Sequence, residues 1–261
     1  MKSCIVAFPV YQAPNKLELS FLENGVKLTK NFKQVVVAPE GLIIDKSFGE
    51  LEKLEVKRFA KPYFEGIRGY NQLLLSKDFY ATFRLFDYLL IHQSDVFLFK
   101  DELNFWCEKD YDYIGAPWFR PDLVDLQGFS SFYQKIKLLV KKNKLYAGRH
   151  NKVGNGGFTL RKIAAALTVL ELANPSVLKK YRQSIGDAYN EDIFWSLEAP
   201  QITDFSIPQW KEAMHFAVEF NPAVAYHDYL NGQLPFGCHA PLKHDPLFWK
   251  KFIPALQTAD I

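Results

Sequence analysis

Residues 88–95 read YLLIHQSD, and this stretch decides the fold class. Residues 88–91 form a continuous apolar run, the pattern of a strand that is covered on both faces. Polar side chains begin abruptly at His92, and the stretch ends on the carboxylate of Asp95. Ligands of open α/β sheets bind at the carboxyl ends of the strands. The stretch therefore predicts a buried strand and, directly after it, a candidate site.

The segments on either side alternate between strand and helix patterns. Buried strands are predicted at residues 5–10 and 32–38, and helices at 17–28, 70–86 and about 162–172. Strand–helix–strand alternation predicts an α/β fold with a largely parallel sheet and helices on its faces. The second half of the chain is less regular and rich in Pro and aromatic residues.

Composition excludes several classes of protein. The chain has 261 residues, of which 48% are hydrophobic and 23% charged, so a substantial core is expected and disorder is not. The net charge of +3 is too small to argue for a nucleic-acid partner. No transmembrane helix is expected, and Pro9 interrupts the apolar run that follows Lys2, so we interpret that run as a strand rather than a signal peptide.

Domain organisation and cysteine usage are simple. No repeat, low-complexity tract or Gly/Ser linker divides the chain, which predicts a single domain over residues 1–261. Cys4, Cys107 and Cys238 form no Cys-x-x-Cys pair, which argues against a disulfide scaffold or a cysteine zinc site. We expect a reducing, cytoplasmic location.

Two candidate site residues are aromatic or acidic and follow strand-like segments. Asp95 could ligate a hard divalent cation that bridges phosphate oxygens, or it could cap a turn. Trp118 ends the stretch DYIGAPW (residues 112–118) and could offer a flat face to a sugar ring, or it could be a packing corner. The residues alone leave both alternatives open.

A glycine-rich stretch follows in the second half. Gly154, Asn155, Gly156 and Gly157 lie in succession, so the backbone can approach a ligand closely or adopt a positive φ. The spacing fits neither a Walker loop nor a dinucleotide-binding fingerprint. The stretch is either a substrate cradle or a tight turn before a helix.

The last two candidates are an acidic pair and a basic pair. Glu191 and Asp192 precede an apolar segment and could cap a helix, or one could be a general base. Adjacent like charges can raise the pKa of one carboxyl group. His239 lies in a Gly/Pro-rich loop from which it could reach a metal, and Lys243 could neutralise phosphate charge; ordinary surface or hydrogen-bonding roles are the alternatives.

The order of these pieces carries more information than any one of them. An apolar strand into Gln93-Ser94-Asp95, then DYIGAPW, GNGGFTLR (154–161) and EDIFW (191–195), resembles the GT-A class of nucleotide-sugar glycosyltransferases. More closely, it resembles a bacterial family of such enzymes from surface-polysaccharide gene neighbourhoods. The resemblance covers residues 5–239 approximately. It implies a GT-A-like (Rossmann-like) mixed, mostly parallel sheet, with a nucleotide-binding half over about 1–120 and an acceptor-side half over about 121–261.

The resemblance also implies roles for particular residues. Asp95 and His239 would hold Mn²⁺ or Mg²⁺, although Gln93 stands where GT-A enzymes usually carry the first acid of an Asp-x-Asp motif. Asp192 would be the base of an inverting transfer, with Glu191 as its alternate. The remaining assignments are the donor-binding residues Tyr11, Gln93, Asp95 and Lys243, with Tyr11 stacking on uracil, and the sugar pocket of Trp118, Asn155, Gly156 and Gly157.

The implied activity is transfer of a sugar, from a UDP-sugar by preference, to a saccharide or lipid-linked glycan. The alternatives are a non-catalytic module that binds nucleotide sugars or glycans, and a metal-dependent hydrolase, for which the His and Asp residues are too sparse. Residues 130–150 are basic and amphipathic. They could rest on the inner face of an anionic membrane, cover the acceptor side as a lid, or form a solvated helix face.

Overall fold

The computed structural model describes residues 2–121, 148–186 and 188–258. The strands are β1 (Cys4–Pro9), β2 (Lys33–Pro39), β3 (Glu55–Phe59), β4 (Tyr88–His92), β5 (Val96–Leu98), β6 (Tyr113–Gly115), β7 (Phe158–Lys162), β8 (Ala217–Val218) and β9 (Gly237–His239). The helices are α1 (Lys16–Leu28), α2 (Gly66–Leu74), α3 (Lys77–Ala81), α4 (Leu103–Glu108), α5 (Ile163–Leu172), α6 (Pro175–Arg182), α7 (Glu191–Ile193), α8 (Ala199–Ile202), α9 (Trp210–Phe216), α10 (Pro222–Val224), α11 (Pro246–Trp249) and α12 (Pro254–Gln257). Short 3₁₀ segments lie at Lys46–Lys53 and Lys61–Phe64, and π-helical segments at Phe194–Glu198 and Ala225–Tyr229.

Six strands form one mixed, mostly parallel sheet in the order β3-β2-β1-β4-β7-β6. Strands β3, β2, β1 and β4 are parallel to one another, whereas β7 runs antiparallel to both β4 and β6. The apolar runs of β1, β2 and β4 are buried, as their sequences predict. The expected α/β class is confirmed, and so is the mixed, mostly parallel character of the sheet. Strand β3 was not predicted, because at the sheet edge it is only half-buried and its sequence EVKRF has no apolar run.

The helix predicted over residues 70–86 is wrong as a single element. The chain forms α2 and α3 instead, and Ser76 lies between them. The Ser76 hydroxyl accepts a hydrogen bond from the Phe79 backbone N–H at 3.2 Å, so it begins a second helix rather than continuing the first. The apolar spacing was nevertheless informative, because Leu73 and Phe79 both lie in the core.

Helix α1 confirms the helix predicted over residues 17–28 and positions an acidic side chain at the sheet end. The Asn15 side chain accepts from the backbone N–H of Leu17 and Glu18, and the Glu18 carboxylate accepts from the Asn15 backbone N–H at 2.8 Å. This reciprocal capping box fixes the first residue of the helix. It also fixes the carboxylate of Glu18 close to the end of β1.

A second, three-stranded sheet joins the two halves of the sequence in the order β5-β9-β8. Val96 in β5 pairs with His239 in β9, and the Ala240 backbone N–H donates to the Asp95 carbonyl oxygen at 2.9 Å. This pairing between residues far apart in sequence places His239 beside Asp95. The sequence pattern did not predict this sheet, because its strands are two or three residues long.

Within the described residues, no helix combines the length and the apolar character needed to cross a membrane. Of the basic segment 130–150, residues 130–147 lie outside the described residues, and the interpretations offered for that segment stay predictions.

Candidate active site

A cavity of about 640 Å³ opens at the carboxyl ends of β1 and β4. Side chains from widely separated parts of the chain meet in it. Those that concern the chemistry are Tyr11, Glu18, Tyr70, Gln93, Asp95, Glu191, Asp192, His239 and Lys243. The site predicted directly after the strand over residues 88–91 therefore lines a cavity.

Asp95 and His239 are in direct contact in the lining of this cavity. The His239 Nε2 atom lies 3.2 Å from Asp95 Oδ1. Burial disfavours the protonated imidazole, but the Asp95 and Glu219 carboxylates outweigh it and raise the pKa of His239 to about 10. Burial alone would raise the pKa of Asp95, and the adjacent His239 outweighs that effect and lowers it. Without a ligand the two side chains form an ion pair.

Asn155 and Glu219 hold His239 from behind. The Asn155 Oδ1 atom accepts from the backbone N–H groups of Gly157 and Phe158, which fixes the orientation of the amide. Its Nδ2 atom then donates to Glu219 Oε2 at 3.1 Å and lies 2.9 Å from His239 Nδ1. The Asn155 side chain is buried, and it positions the imidazole rather than lining the cavity.

Glu191 and Arg161 form a buried ion pair at the floor of the site. The Arg161 Nη1 atom lies 2.9 Å from Glu191 Oε2, and the two side chains are 1% and 3% exposed. Arg161 also donates to the hydroxyls of Tyr80 and Thr159, each at 2.8 Å. Burial alone would lower the pKa of Arg161, but the Glu191 carboxylate outweighs it and raises that pKa further. Arg161 therefore keeps its charge and is paired with the Glu191 carboxylate.

Asp192 lies next to this pair, and no described Lys, Arg or His forms a salt bridge with it. Burial raises the pKa of Asp192 to about 7, and the nearby Glu191 and Glu219 carboxylates add to the shift. Its Oδ1 atom accepts from the Ile193 backbone N–H at 2.8 Å. A carboxyl group that titrates near neutral pH and faces a cavity has the properties of a general base.

The glycines of residues 154–157 are required by close approach. A Cβ atom on Gly156 would lie 2.0 Å from Glu191 Oε1. One on Gly157 would lie 2.3 Å from His239 Nε2 and 2.4 Å from Gln93 Oε1. The turn thus brings backbone against the acidic pair on one side and the imidazole on the other, which supports a cradle over a simple turn.

We expect Gly157→Ala to lower activity at least 10-fold, since the new methyl group would displace His239 and Gln93 from the cavity. The free energy of unfolding should fall by less than 3 kcal/mol, within the range for overpacking. Gly186→Ala is the matched control, because a Cβ atom there meets no atom of the described residues within 4 Å. Turnover by the two purified variants provides the measurement, and equal activity of both would contradict the role given to the turn.

The remaining predicted residues divide into two groups. Tyr11, 61% exposed, and the exposed Lys243 line the cavity together with Gln93, whose backbone N–H donates to the Gly157 carbonyl at 3.0 Å. Trp118 is not among the described residues that line this cavity. Its ring packs against Gly154 and is buried, so the structure places it in the packing corner that the sequence left open as an alternative.

Sequence reasoning missed Glu219, Glu18 and Tyr70. Glu219 directly follows the apolar residues of β8, the same signal that singled out Asp95 after β4, but β8 is too short to be recognised. Glu18 had been assigned only to the predicted helix, although its carboxylate accepts from the Ser94 hydroxyl at 3.3 Å. Tyr70 lines the cavity, and burial raises the pKa of its hydroxyl.

The donor set was tested against a divalent cation. The Nε2 atom of His239 is buried and lies 3.2 Å from Asp95 Oδ1, so an imidazole nitrogen and a carboxylate oxygen lie side by side at the cavity. In the described parts of the chain, no three His, Cys, Asp or Glu side chains are grouped to hold a metal ion by themselves. Asp95 and His239 therefore fit a cation whose other ligands come from a bound diphosphate or water.

Comparison with known sequences assigns the family. The sequence profile of the family described as "Protein of unknown function (DUF5672)" matches residues 53–239. The chain belongs to this family. The matched range includes Asp95, the glycine-rich turn, Asp192 and His239, whereas Tyr11, Glu18 and Lys243 of the same cavity lie outside it. No protein with a curated description matches the sequence.

Solved structures resemble this DUF5672 member in fold. An active-site mutant of LgtC gives a TM-score of 0.50 at 12% identity and covers 90% of this chain and 86% of its own. Core-mannan synthase A from Aspergillus fumigatus, in a Mn/GDP form, gives 0.45 at 8% identity over 76% and 69% of the two chains. A glycosyltransferase involved in glycosylation of the major capsid of PBCV-1 gives 0.45 at 10% identity over 90% and 92%. The likeness to LgtC establishes a GT-A-type fold for this chain.

Proposed function

We propose that this protein is a glycosyltransferase that moves a sugar from a nucleotide-sugar donor to a saccharide acceptor with inversion. The observation that carries the proposal is the convergence of Asp95, His239 and Asp192 on one cavity at the sheet edge where α/β folds bind ligands. The GT-A-type fold and the glycosyltransferases among its structural neighbours support it.

Asp192 is the residue that we assign as the base. Its pKa of about 7 leaves much of it ionised at neutral pH, ready to accept the proton of an acceptor hydroxyl. Glu191, the alternate, is less suited because its carboxylate is paired with Arg161. The hydroxyl oxygen then attacks the anomeric carbon from the face opposite the leaving diphosphate, which inverts the configuration. Glu191 and Arg161 hold the backbone that carries Asp192.

The part of the cavity lined by Asp95, His239 and Lys243 receives the diphosphate in this proposal. Asp95 and His239 would hold a divalent cation, Mn²⁺ or Mg²⁺, which supplies charge neutralisation for the leaving phosphate oxygens when bound. Lys243 is exposed and lines the cavity, and in this proposal it pairs with a phosphate oxygen. Tyr11 and Pro9 line the same side, and Tyr11 has a free ring face for a nucleobase, uracil by preference.

The finer parts of the proposal concern context. We place the enzyme in the cytoplasm, in bacterial surface-polysaccharide synthesis, with a glycan or lipid-linked glycan as acceptor. The basis is the order of motifs in the sequence, and peripheral membrane contact through residues 130–150 is part of the same proposal.

The test is consumption of donor. Wild-type protein is incubated with UDP-, GDP-, CMP- and dTDP-sugars and Mn²⁺, and released nucleotide is measured with and without a mixed glycan acceptor. We expect one nucleotide class to be consumed, faster with acceptor. Asp95→Asn should abolish consumption, while Asp204→Asn, an exposed carboxylate outside the cavity lining, should not. Binding of a donor without its consumption, whichever acceptor is added, would favour the non-catalytic binding module.

A further inference from the structure

A second cavity, of about 560 Å³, shares none of its lining residues with the first. The two are nevertheless built from the same two segments. The stretch before β7 contributes Val153 to the second cavity and Gly156 to the first. The helical stretch over residues 191–202 contributes Asp192 to the first cavity and Gln201 to the second.

The helical stretch connects the cavities along one face. Ile193, Phe194 and Trp195 are buried in the core, so the opposite face is the one available to ligands. Along that face the cavity residues recur every four or five positions, from Asp192 through Ser196 and Leu197 to Pro200 and Gln201. This is the spacing at which side chains follow one another on a helix that includes a π-helical turn. Ser196 is buried, whereas Asp192, Leu197 and Pro200 are half-buried and Gln201 is exposed, so the helical stretch runs from the proposed base to the second cavity.

The chemistry of the second cavity differs from that of the first. Its described lining contains the amide side chains of Asn151, Gln201 and Gln209, and Lys152 is the one charged residue among them. The first cavity, by contrast, is lined with carboxylates. Amides pair well with sugar hydroxyls, so the described lining suits a sugar chain.

An aromatic side chain completes this surface. Trp210 lines the cavity and is half-buried, with its ring stacked on Phe119 at a centroid distance of 5.4 Å. Tyr229 packs edge-on against the same ring at 5.4 Å. The Lys211 ammonium also lies over this ring, 5.5 Å from its centroid. A ring held by three neighbours loses little conformational entropy when a ligand packs on the part that lines the cavity, and the apolar faces of sugar rings are suitable partners.

We infer that the second cavity binds the distal sugars of a neutral oligosaccharide acceptor whose terminal hydroxyl reaches Asp192. This inference rests on the proposed function and narrows its acceptor class to chains longer than a single sugar. The amides of Gln201 and Gln209 hold the sugar hydroxyls, and Trp210 packs on a ring.

The experiment measures retention of wild-type protein on an array of neutral and sulfated oligosaccharides, from disaccharides to hexasaccharides, without donor. We expect retention on neutral glycans that increases with chain length. The double variant Gln201→Ala/Gln209→Ala should reduce it at least 10-fold. Gln233→Ala, an exposed amide outside both cavities, is the matched control and should retain wild-type binding.

Three results would overturn the inference: no retention on any neutral glycan, retention restricted to sulfated glycans, or equal retention by the double variant and the wild type. Since the array contains no donor, retention reports on acceptor binding and not on sugar transfer, and the double variant isolates the contribution of the second cavity. Failure of donor consumption would instead count against the proposed transfer, so the two failures are distinguishable.

Discussion

Asp192→Asn is expected to lower the rate of sugar transfer by about 10²–10⁴-fold, the range for loss of a general base. Asn has nearly the same shape but cannot accept the acceptor proton. The wild-type rate should rise with pH through about 7, because only ionised Asp192 acts as base. Rates measured from pH 5 to 9 with saturating donor check both expectations. A residual rate within 5-fold of wild type would remove Asp192 from the role.

Thermal unfolding separates this explanation from simple damage to the fold. The pKa of Asp192 is raised in the folded state, so folding favours its protonated form, and stability is lost as pH rises through about 7. The neutral Asn avoids that loss. Asp192→Asn should therefore have a higher Tm than wild type at pH 8 and a similar Tm at pH 4. Asp204→Asn, an exposed control, should have the wild-type Tm at both pH values. A lower Tm at pH 8 would contradict the buried-carboxylate explanation.

Arg161→Met is expected to lower the free energy of unfolding by about 3–5 kcal/mol, because it leaves the buried Glu191 carboxylate without its partner. Met fills much of the same volume, so the loss reflects charge rather than a cavity. Adding Glu191→Gln should recover part of the loss, since no uncompensated charge then remains. Urea unfolding of the single and double variants gives these values.

The next residue in sequence provides a matched control. Lys162 pairs with Asp110 at 2.7 Å, but these side chains are 31% and 54% exposed. Exposed pairs contribute about 0–1 kcal/mol, so Lys162→Met should change the free energy of unfolding by no more than about that amount. Equal losses for Arg161→Met and Lys162→Met would show that burial of the ion pair is not what matters.

The sequence predicted those parts of the fold whose residues have a strong local pattern. β1, β2 and β4 are buried on both faces, so their apolar runs identify them directly. β3 lies at the sheet edge and carries three charged residues among its five, and the small sheet depends on pairing between residues 96–98 and 237–239. Such short strands are stabilised by tertiary contacts that no local pattern encodes.

The site shows the same division. Asp95, Asp192 and His239 could be singled out because each is a polar residue in a distinctive local setting. The sequence could not predict which carboxylate of the acidic pair is the base. That assignment depends on Arg161 in β7, which forms its ion pair with Glu191 rather than with Asp192. Asn155 could be noticed in its glycine-rich stretch, but its contact with Glu219 joins residues that only the fold brings together.

Calorimetric titration of UDP and GDP into wild-type protein, in Mn²⁺ and in EDTA, tests the central claim most directly. If Asp95 and His239 share a cation with a diphosphate, one of the nucleotides binds at least 10-fold more tightly with Mn²⁺, and Asp95→Asn removes that difference. If neither nucleotide binds, the cavity is not a UDP or GDP site, and if one binds equally well in EDTA and to Asp95→Asn, Asp95 and His239 do not share a cation with its diphosphate. Either result contradicts the central claim.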